Sequence, residues 1–145
     1  MNGAPRIAVA IPAYEAAPSI ADVVHRTLKV VPDVLVVDDG SVDGTSELAR
    51  QAGARVVRHP ANLGKGTALR TAFDDLFAAG FDAVVTLDAD GQHLPEEVPI
   101  LIAAAGEGVD LVLGTREALF GQMSAVRRTS NRVSSWAISC VAGRP

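Results

Sequence analysis

Residues 88–93 read Asp-Ala-Asp-Gly-Gln-His and follow the apolar or β-branched run 84–87. Two carboxylates one residue apart point to opposite faces of a strand, but at a strand's end the backbone can turn both toward one ligand. The donors are hard oxygens, with neither a cysteine nor a histidine pair, and that favours Mg²⁺ or Mn²⁺ over zinc. Mg²⁺ takes one or two carboxylates and fills its shell with substrate phosphates. Asp90 and Gln92, completed by a diphosphate, therefore make a chemically sensible cation site. His93, alone before Leu94 and Pro95, reads as a structural residue or the neighbour of a helix start, the alternative being a metal ligand.

Three other stretches carry residues of the same kind. In VVDDGSVDGT (36–45), Asp38 and Asp39 close an apolar run and Gly40 permits a tight turn. Asp and Ser favour turns and helix N-caps, so one reading of the pair is local. The other makes a carboxylate at the rim of a sheet the acceptor for N–H donors of a nucleobase. In NLGKGTALRTAF (62–73), two glycines flank Lys65 before a helical pattern. Leu69 replaces the third glycine of a dinucleotide fingerprint, and Gly66 follows Lys65 where a P-loop needs Ser or Thr. What remains is a glycine-rich helix start, or exposed amides and a lysine that meet an anion. Arg116, in GTREALF (114–120), could clamp phosphate with its planar fork. Arg127, Arg128 and Arg132 read as a solvated helix face, the alternative being an anionic acceptor or lipid headgroup. His25, on a predicted helix surface, and His59, before Pro60, read as incidental.

These stretches need a frame that brings them together. The chain has 145 residues, 48% hydrophobic and 21% charged, enough for one globular domain with a core. Strand-like runs occur at 7–11, 34–38, 54–59, 82–88 and 111–115. Helical spacing marks 18–31, about 43–53, 64–79 and 95–105, and a last helix is expected over 125–142. Pro18 suits a first helical turn, and Pro99 is expected to bend the fourth helix. The alternation predicts an α/β fold, a mostly parallel central sheet with helices on both faces. Right-handed crossovers then place the strands' C-terminal ends along one edge, where such sheets bind ligands. Residues 12–15, 38–41, 62–66 and 88–93 each follow one of the first four strands.

Charge is unevenly placed. Residues 1–115 hold 8 Lys/Arg against 16 Asp/Glu, while 116–145 hold 5 against 1. An acidic body with a basic tail is not the footprint of a nucleic-acid binder, but it leaves room for a localised anion site. The single cysteine, Cys140, excludes an internal disulfide. No signal-peptide pattern opens the sequence and no apolar run approaches the ~20 residues of a membrane span. The expectation is a soluble domain in a reducing, cytoplasmic compartment.

Taken together, IPAY, VVDDGSVDGT, NLGKGTAL, LDADGQH and GTR, in this order and spacing, resemble the family 2 glycosyltransferases. The resemblance covers essentially the whole chain and is strongest to the dolichyl- or polyprenyl-phosphate sugar synthases. It implies a GT-A nucleotide-sugar-binding domain over 1–120, followed at 121–145 by a helical segment that begins an acceptor-side region. Pro12 and Tyr14 would border the base of a GDP- or UDP-sugar, and Asp39 would hydrogen-bond it with Asp38, Glu15 and Ser41 beside it. Asp88 would lie near the ribose or the metal, Asp90 and Gln92 would bind Mg²⁺ or Mn²⁺, and Lys65 sits in a motif position. Asp90 and Arg116 would be the catalytic residues, Arg116 meeting the phosphates or the acceptor. Two departures stand out. The family reads PAYNE, whereas Glu15 here takes the asparagine place and Ala16 that of the glutamate, which bears on nucleotide preference. Relatives also continue past the point where this chain stops, many into membrane helices, so a truncated form or a minimal donor-binding half is expected. In a longer form the protein would associate with the membrane.

The implied reaction is inverting sugar transfer. A hydroxyl acceptor needs a general base within hydrogen-bond reach. A polyprenyl monophosphate, with a second pKa of ~6, is already largely dianionic near neutrality. Downstream of residue 116 only Glu117 is a candidate base, which favours the phosphate acceptor. A nucleotidyltransferase would carry a basic glycine-rich loop after the first strand, where PAYEAAPS holds no Lys or Arg. A phospho-receiver domain would carry its acidic pair there, and a lysine where Arg116 stands. A donor-binding fragment without turnover is a further alternative.

Overall fold

The computed structural model describes residues 4–106, 109–114 and 139–142. Its strands are β1 (Ile7–Ala13), β2 (Val34–Asp38), β3 (Arg55–Arg58), β4 (Ala83–Thr86), β5 (Leu111–Leu113) and β6 (Ser139–Ala142). They form one sheet in the order β3-β2-β1-β4-β6-β5. The first four strands are parallel, and β6 runs antiparallel between β4 and β5. Its helices are α1 (Ile20–Leu28), α2 (Thr45–Gln51), α3 (Lys65–Ala78) and α4 (Val98–Ala104). The expected α/β architecture, a mostly parallel sheet covered on both faces, is the one observed.

The two-residue period of each strand sorts the core into two layers. Val9, Ile11, Val34, Val36 and Val85 share one cluster with Ile20, Val23 and Val24 of α1, Ala49 of α2, and Val98 and Leu101 of α4. Their neighbours Ala8, Ala10, Leu35, Val37 and Val84 face the other way, with Ala68, Ala72 and Leu76 of α3. Small residues on both sides of that second layer let α3 lie close over β1 and β2. Each fully buried Val, Leu or Ile side chain contributes about 1.5–3 kcal/mol. The sheet is therefore a stiff base for its loops.

One strand detail shapes the rim. Val9 donates to Asp33 O and Ala13 O accepts from Asp39 N, so the odd residues of β1 bond toward β2. The even residues face β4, and that ladder ends where Leu87 N–H meets Ala10 O at 3.0 Å. Pro12 lies past this last bond, so its missing N–H forfeits nothing. Beyond Leu87 the chain leaves the sheet and carries 88–93 across the edge. The gap falls where β2 and β3 turn one way from β1 and β4 the other, the switch point at which open α/β sheets take ligands.

Several boundaries differ from the sequence expectation. α1 begins at Ile20, so Pro18 belongs to the preceding turn rather than to the first helical turn. Pro99 does not bend a helix over 95–105, because a 3₁₀ turn covers Pro95–Glu97 and α4 starts at Val98 with Pro99 in its first turn. There its absent N–H would have had no intrahelical partner. The helix expected over 125–142 is contradicted at its end, where Ser139–Ala142 is a strand drawn into the gap between β4 and β5. The rest of that segment lies outside the described residues, as do Arg116, Arg127, Arg128 and Arg132.

Candidate active site

The loops after β1 and β2 are stitched into one unit. Glu15 N–H donates to Ser41 Oγ at 2.9 Å, and Glu15 Oε1 accepts from Val42 N–H at 2.8 Å. Ala16 N–H reaches Thr45 Oγ1 and Ala17 N–H reaches Asp43, both at 2.9 Å. Asp38, wholly buried, spends its carboxylate inside this unit. Its oxygens accept from Ser41 N–H at 3.0 Å and from the Ser46 hydroxyl, with Arg58 Nε at 3.7 Å. Asp38 and Ser41, 0% and 2% exposed, thus both hold this turn together. A polar hollow of about 160 Å³ beside this turn is lined by Asp38, Ser41, Thr45, Glu47 and Arg58, and by none of Asp39, Lys65, Asp88 or Asp90.

Asp39 works across loops instead. Its Oδ1 accepts from Leu63 N–H at 2.9 Å and lies 2.7 Å from His59 Nδ1; its Oδ2 accepts from Gly64 N–H at 2.8 Å. Burial pushes this carboxyl's pKa up, but the Leu63 amide, His59 and the Gly64 amide outweigh it and leave it below the ordinary value. The loop 61–64 can come this close because Gly40, at φ +81°, has no side chain. A Cβ there would stand 2.5 Å from the Ala61 carbonyl carbon. Gly64, at φ 92° and ψ 151°, holds a backbone shape open to glycine alone and turns the chain into α3.

His59 is not incidental. It is 8% exposed, with Nδ1 on Asp39 and Nε2 3.0 Å from Thr71 Oγ1 of α3. Residue type and a following proline gave no hint of this. The usable signal was position, since the end of β3 lies beside the end of β2.

From Asp39 the rim continues to the 88–93 loop. Lys65, the first residue of α3, places Nζ 2.5 Å from Asp88 Oδ1. The first turn of α3 carries no acidic residue of its own, and two carboxylates face its start, Asp39 at the Gly64 amide and Asp88 at Lys65. Asp88 N–H donates to His93 Nδ1 at 3.3 Å, the structural role expected of that histidine. Asp90 Oδ1 accepts from Gln92 N–H at 2.9 Å, closing a short turn, and both residues are exposed. Ser19 Oγ donates to Ala89 O at 2.6 Å and fastens the loop to the start of α1. Further on, Arg26 grips both oxygens of Glu96 at 2.8 and 2.7 Å and draws that carboxyl's pKa down to about 2. Tyr14, 53% exposed, stands free just past β1.

Among the described residues no group of three or more His, Cys, Asp and Glu side chains is gathered to hold a metal. A cation here would rest on Asp88, Asp90 and the Gln92 amide oxygen, with ligand oxygens completing its shell. That donor set fits Mg²⁺ or Mn²⁺. Asp88 already faces one cation, the Lys65 ammonium.

A mostly parallel sheet with polar loops converging on its switch point is a frame on which α/β domains bind ligands. The family model for glycosyl transferase family 2 matches residues 8–140, and the chain belongs to that family. It is 37% identical over 119 residues to polyprenol monophosphomannose synthase of Mycolicibacterium smegmatis, covering 77% of this chain and 45% of the relative. It is 37% identical over 139 residues to undecaprenyl-phosphate mannosyltransferase of Micrococcus luteus, covering 91% and 56%. Among solved structures it resembles glucosyl-3-phosphoglycerate synthase of Mycobacterium tuberculosis in complex with Mn²⁺, uridine diphosphate and phosphoglyceric acid. That likeness has a TM-score of 0.67 and 26% identity and covers 96% of this chain and 56% of the other, placing the fold among the GT-A glycosyltransferases. The chain spans about half the length of the curated relatives it matches. Among the described residues no helix is long and apolar enough to cross a membrane.

Proposed function

We propose that this chain binds a nucleoside-diphosphate sugar at the β1–β4 rim and serves inverting transfer of the sugar to a polyprenyl phosphate. The observation that carries this reading is a continuous line of contacts. Asp39 clasps the amides of Leu63 and Gly64, and the next residue, Lys65, reaches Asp88. Base-reading and diphosphate-binding groups thus share one edge.

Asp39, an acceptor, pairs with a base that offers a ring N–H, which uracil and guanine do and cytosine and adenine do not. Tyr14, Pro12 and Glu15 border that base. The diphosphate lies against the first turn of α3 and Lys65. Asp88, Asp90 and Gln92 would hold Mg²⁺ or Mn²⁺, which would supply charge neutralisation for the leaving diphosphate. Lys65 moves between Asp88 and the phosphates, and Arg116 adds a second cationic contact there or at the acceptor. A phosphate acceptor brings its own negative charge, so no side chain need remove a proton. The names of the two mannosyl-transferring relatives support this acceptor class.

A calorimetric panel of UDP, GDP, CDP and ADP, each with Mn²⁺, tests the reading. UDP or GDP should bind at least about tenfold more tightly than CDP and ADP, the value of one hydrogen bond to a charged group. Equal affinities, or none, would remove Asp39 from the base site. Because the chain spans about half of its relatives, donor binding without turnover is the second reading. Sugar release in the presence of a polyprenyl phosphate separates the two.

A further inference from the structure

His59 has no part in the reaction outlined above, yet it is one of few buried polar residues among those described. We propose that His59 is a positioning residue for base selection, holding the Asp39 carboxylate so that one oxygen lone pair is left for the base. This rests on Asp39 being the base acceptor.

A carboxylate has about four lone-pair sites. On Asp39, Oδ1 serves both His59 and Leu63 N–H, while Oδ2 serves Gly64 N–H alone. One site on Oδ2 is left. The two amides come from consecutive residues of one loop, so by themselves they would let the carboxylate move with that loop. His59 supplies a contact from a different direction, the end of β3. It is fixed in turn by its own N–H on Asp38 O at 2.8 Å and by Thr71 Oγ1 at 3.0 Å from Nε2.

Chemistry fixes the proton positions. Ionised Asp39 only accepts, so Nδ1 carries the hydrogen, and in the neutral ring Nε2 accepts from the Thr71 hydroxyl. The side chains of Asp39 and His59 are 4% and 9% exposed, so water cannot readily replace either partner. Thr71 lies on α3, the helix that begins with Lys65, so the relay also ties base reading to the diphosphate end of the site. Without the imidazole, Oδ1 is half satisfied, the carboxylate can turn, and its free lone pair is no longer committed to the base.

The experiment compares the wild-type protein with His59→Leu, His59→Asn and Thr71→Val by calorimetry and thermal melting. Ligands are UDP, CDP, GDP, ADP and inorganic pyrophosphate, each with Mn²⁺. His59→Leu should shrink the preference for UDP over CDP, or for GDP over ADP, by roughly tenfold, the worth of one charge-assisted hydrogen bond. Pyrophosphate affinity should stay unchanged, since that ligand has no base. His59→Asn, whose amide N–H can replace Nδ1–H, should recover most of the preference. Thr71→Val should lose a smaller part of it.

A lower melting temperature with the preference intact would make His59 structural only and overturn the proposal. Equal losses for pyrophosphate and nucleotides would do the same. If His59→Leu does not fold, Thr71→Val decides, and an unchanged preference there is fatal. A wild-type protein without base preference overturns this inference together with the base-reading role of Asp39. A discriminating wild type with equally discriminating variants removes His59 alone.

Discussion

Replacing Asp39 by asparagine changes the chemistry at the centre of the rim and almost nothing of its shape. Three donors converge there, from His59, Leu63 and Gly64. Asparagine keeps one acceptor oxygen and turns the other into a donor. With its oxygen in the Oδ1 place, His59 and Leu63 retain a neutral acceptor, each bond weaker by about 1 kcal/mol. Gly64 N–H then faces an N–H, a buried mismatch of about 1–3 kcal/mol. The total is about 3–5 kcal/mol, or roughly 10–20 °C in melting temperature for a chain of this size. The sign with pH follows from linkage. Asp39 titrates below its ordinary value in the folded protein, so its ionised form stabilises the fold above the unfolded pKa of ~3.9. That stabilisation disappears as pH falls through the folded value. Urea denaturation of both proteins should therefore show a constant gap from neutrality down to about pH 5 that narrows below about pH 4. A gap under about 1 kcal/mol at neutrality, or one indifferent to acid, would refute this account of the rim.

Asp90→Ala should abolish Mn²⁺-dependent binding of UDP or GDP while shifting stability by no more than about 0.5 kcal/mol, since the side chain is exposed. Calorimetry with and without Mn²⁺, beside a melting curve, checks both halves. Gly40→Ala should cost at least about 2 kcal/mol in urea denaturation, because a side chain at φ +81° is strained and its Cβ meets the backbone of Ala61.

The sheet was readable because its central strands are apolar on both faces, as in 34–38, where every residue is buried. The clustering of polar loops followed from that, since parallel strands leave their loops no other edge. Residues 139–142 were not readable: four residues at the end of a helical pattern become a strand only because β4 and β5 offer them two open edges. Periodicity records a segment's own faces and carries nothing about an edge waiting elsewhere. Asp38 and Asp39 show a similar limit. Adjacent and identical in type, they point into different loops, one closing its own turn and the other gripping residues 24 and 25 positions away. His59 was missed because its partners lie 20 and 12 positions off in sequence.

The antiparallel insertion of β6 has a bearing on how the protein comes into being. Emerging N-terminus first, the chain makes β3, β2, β1 and β4 from one continuous stretch, and with them the described rim groups from Pro12 to Gln92. β5 comes next and, among the described strands, joins the ladder through β6 alone. The flank of β4 away from β1 is covered by Ser139–Ala142, more than fifty residues further along the chain. Among the described strands, the sheet is thus assembled from a sequence-continuous part, β1 to β4, and a part that one distant strand ties to it.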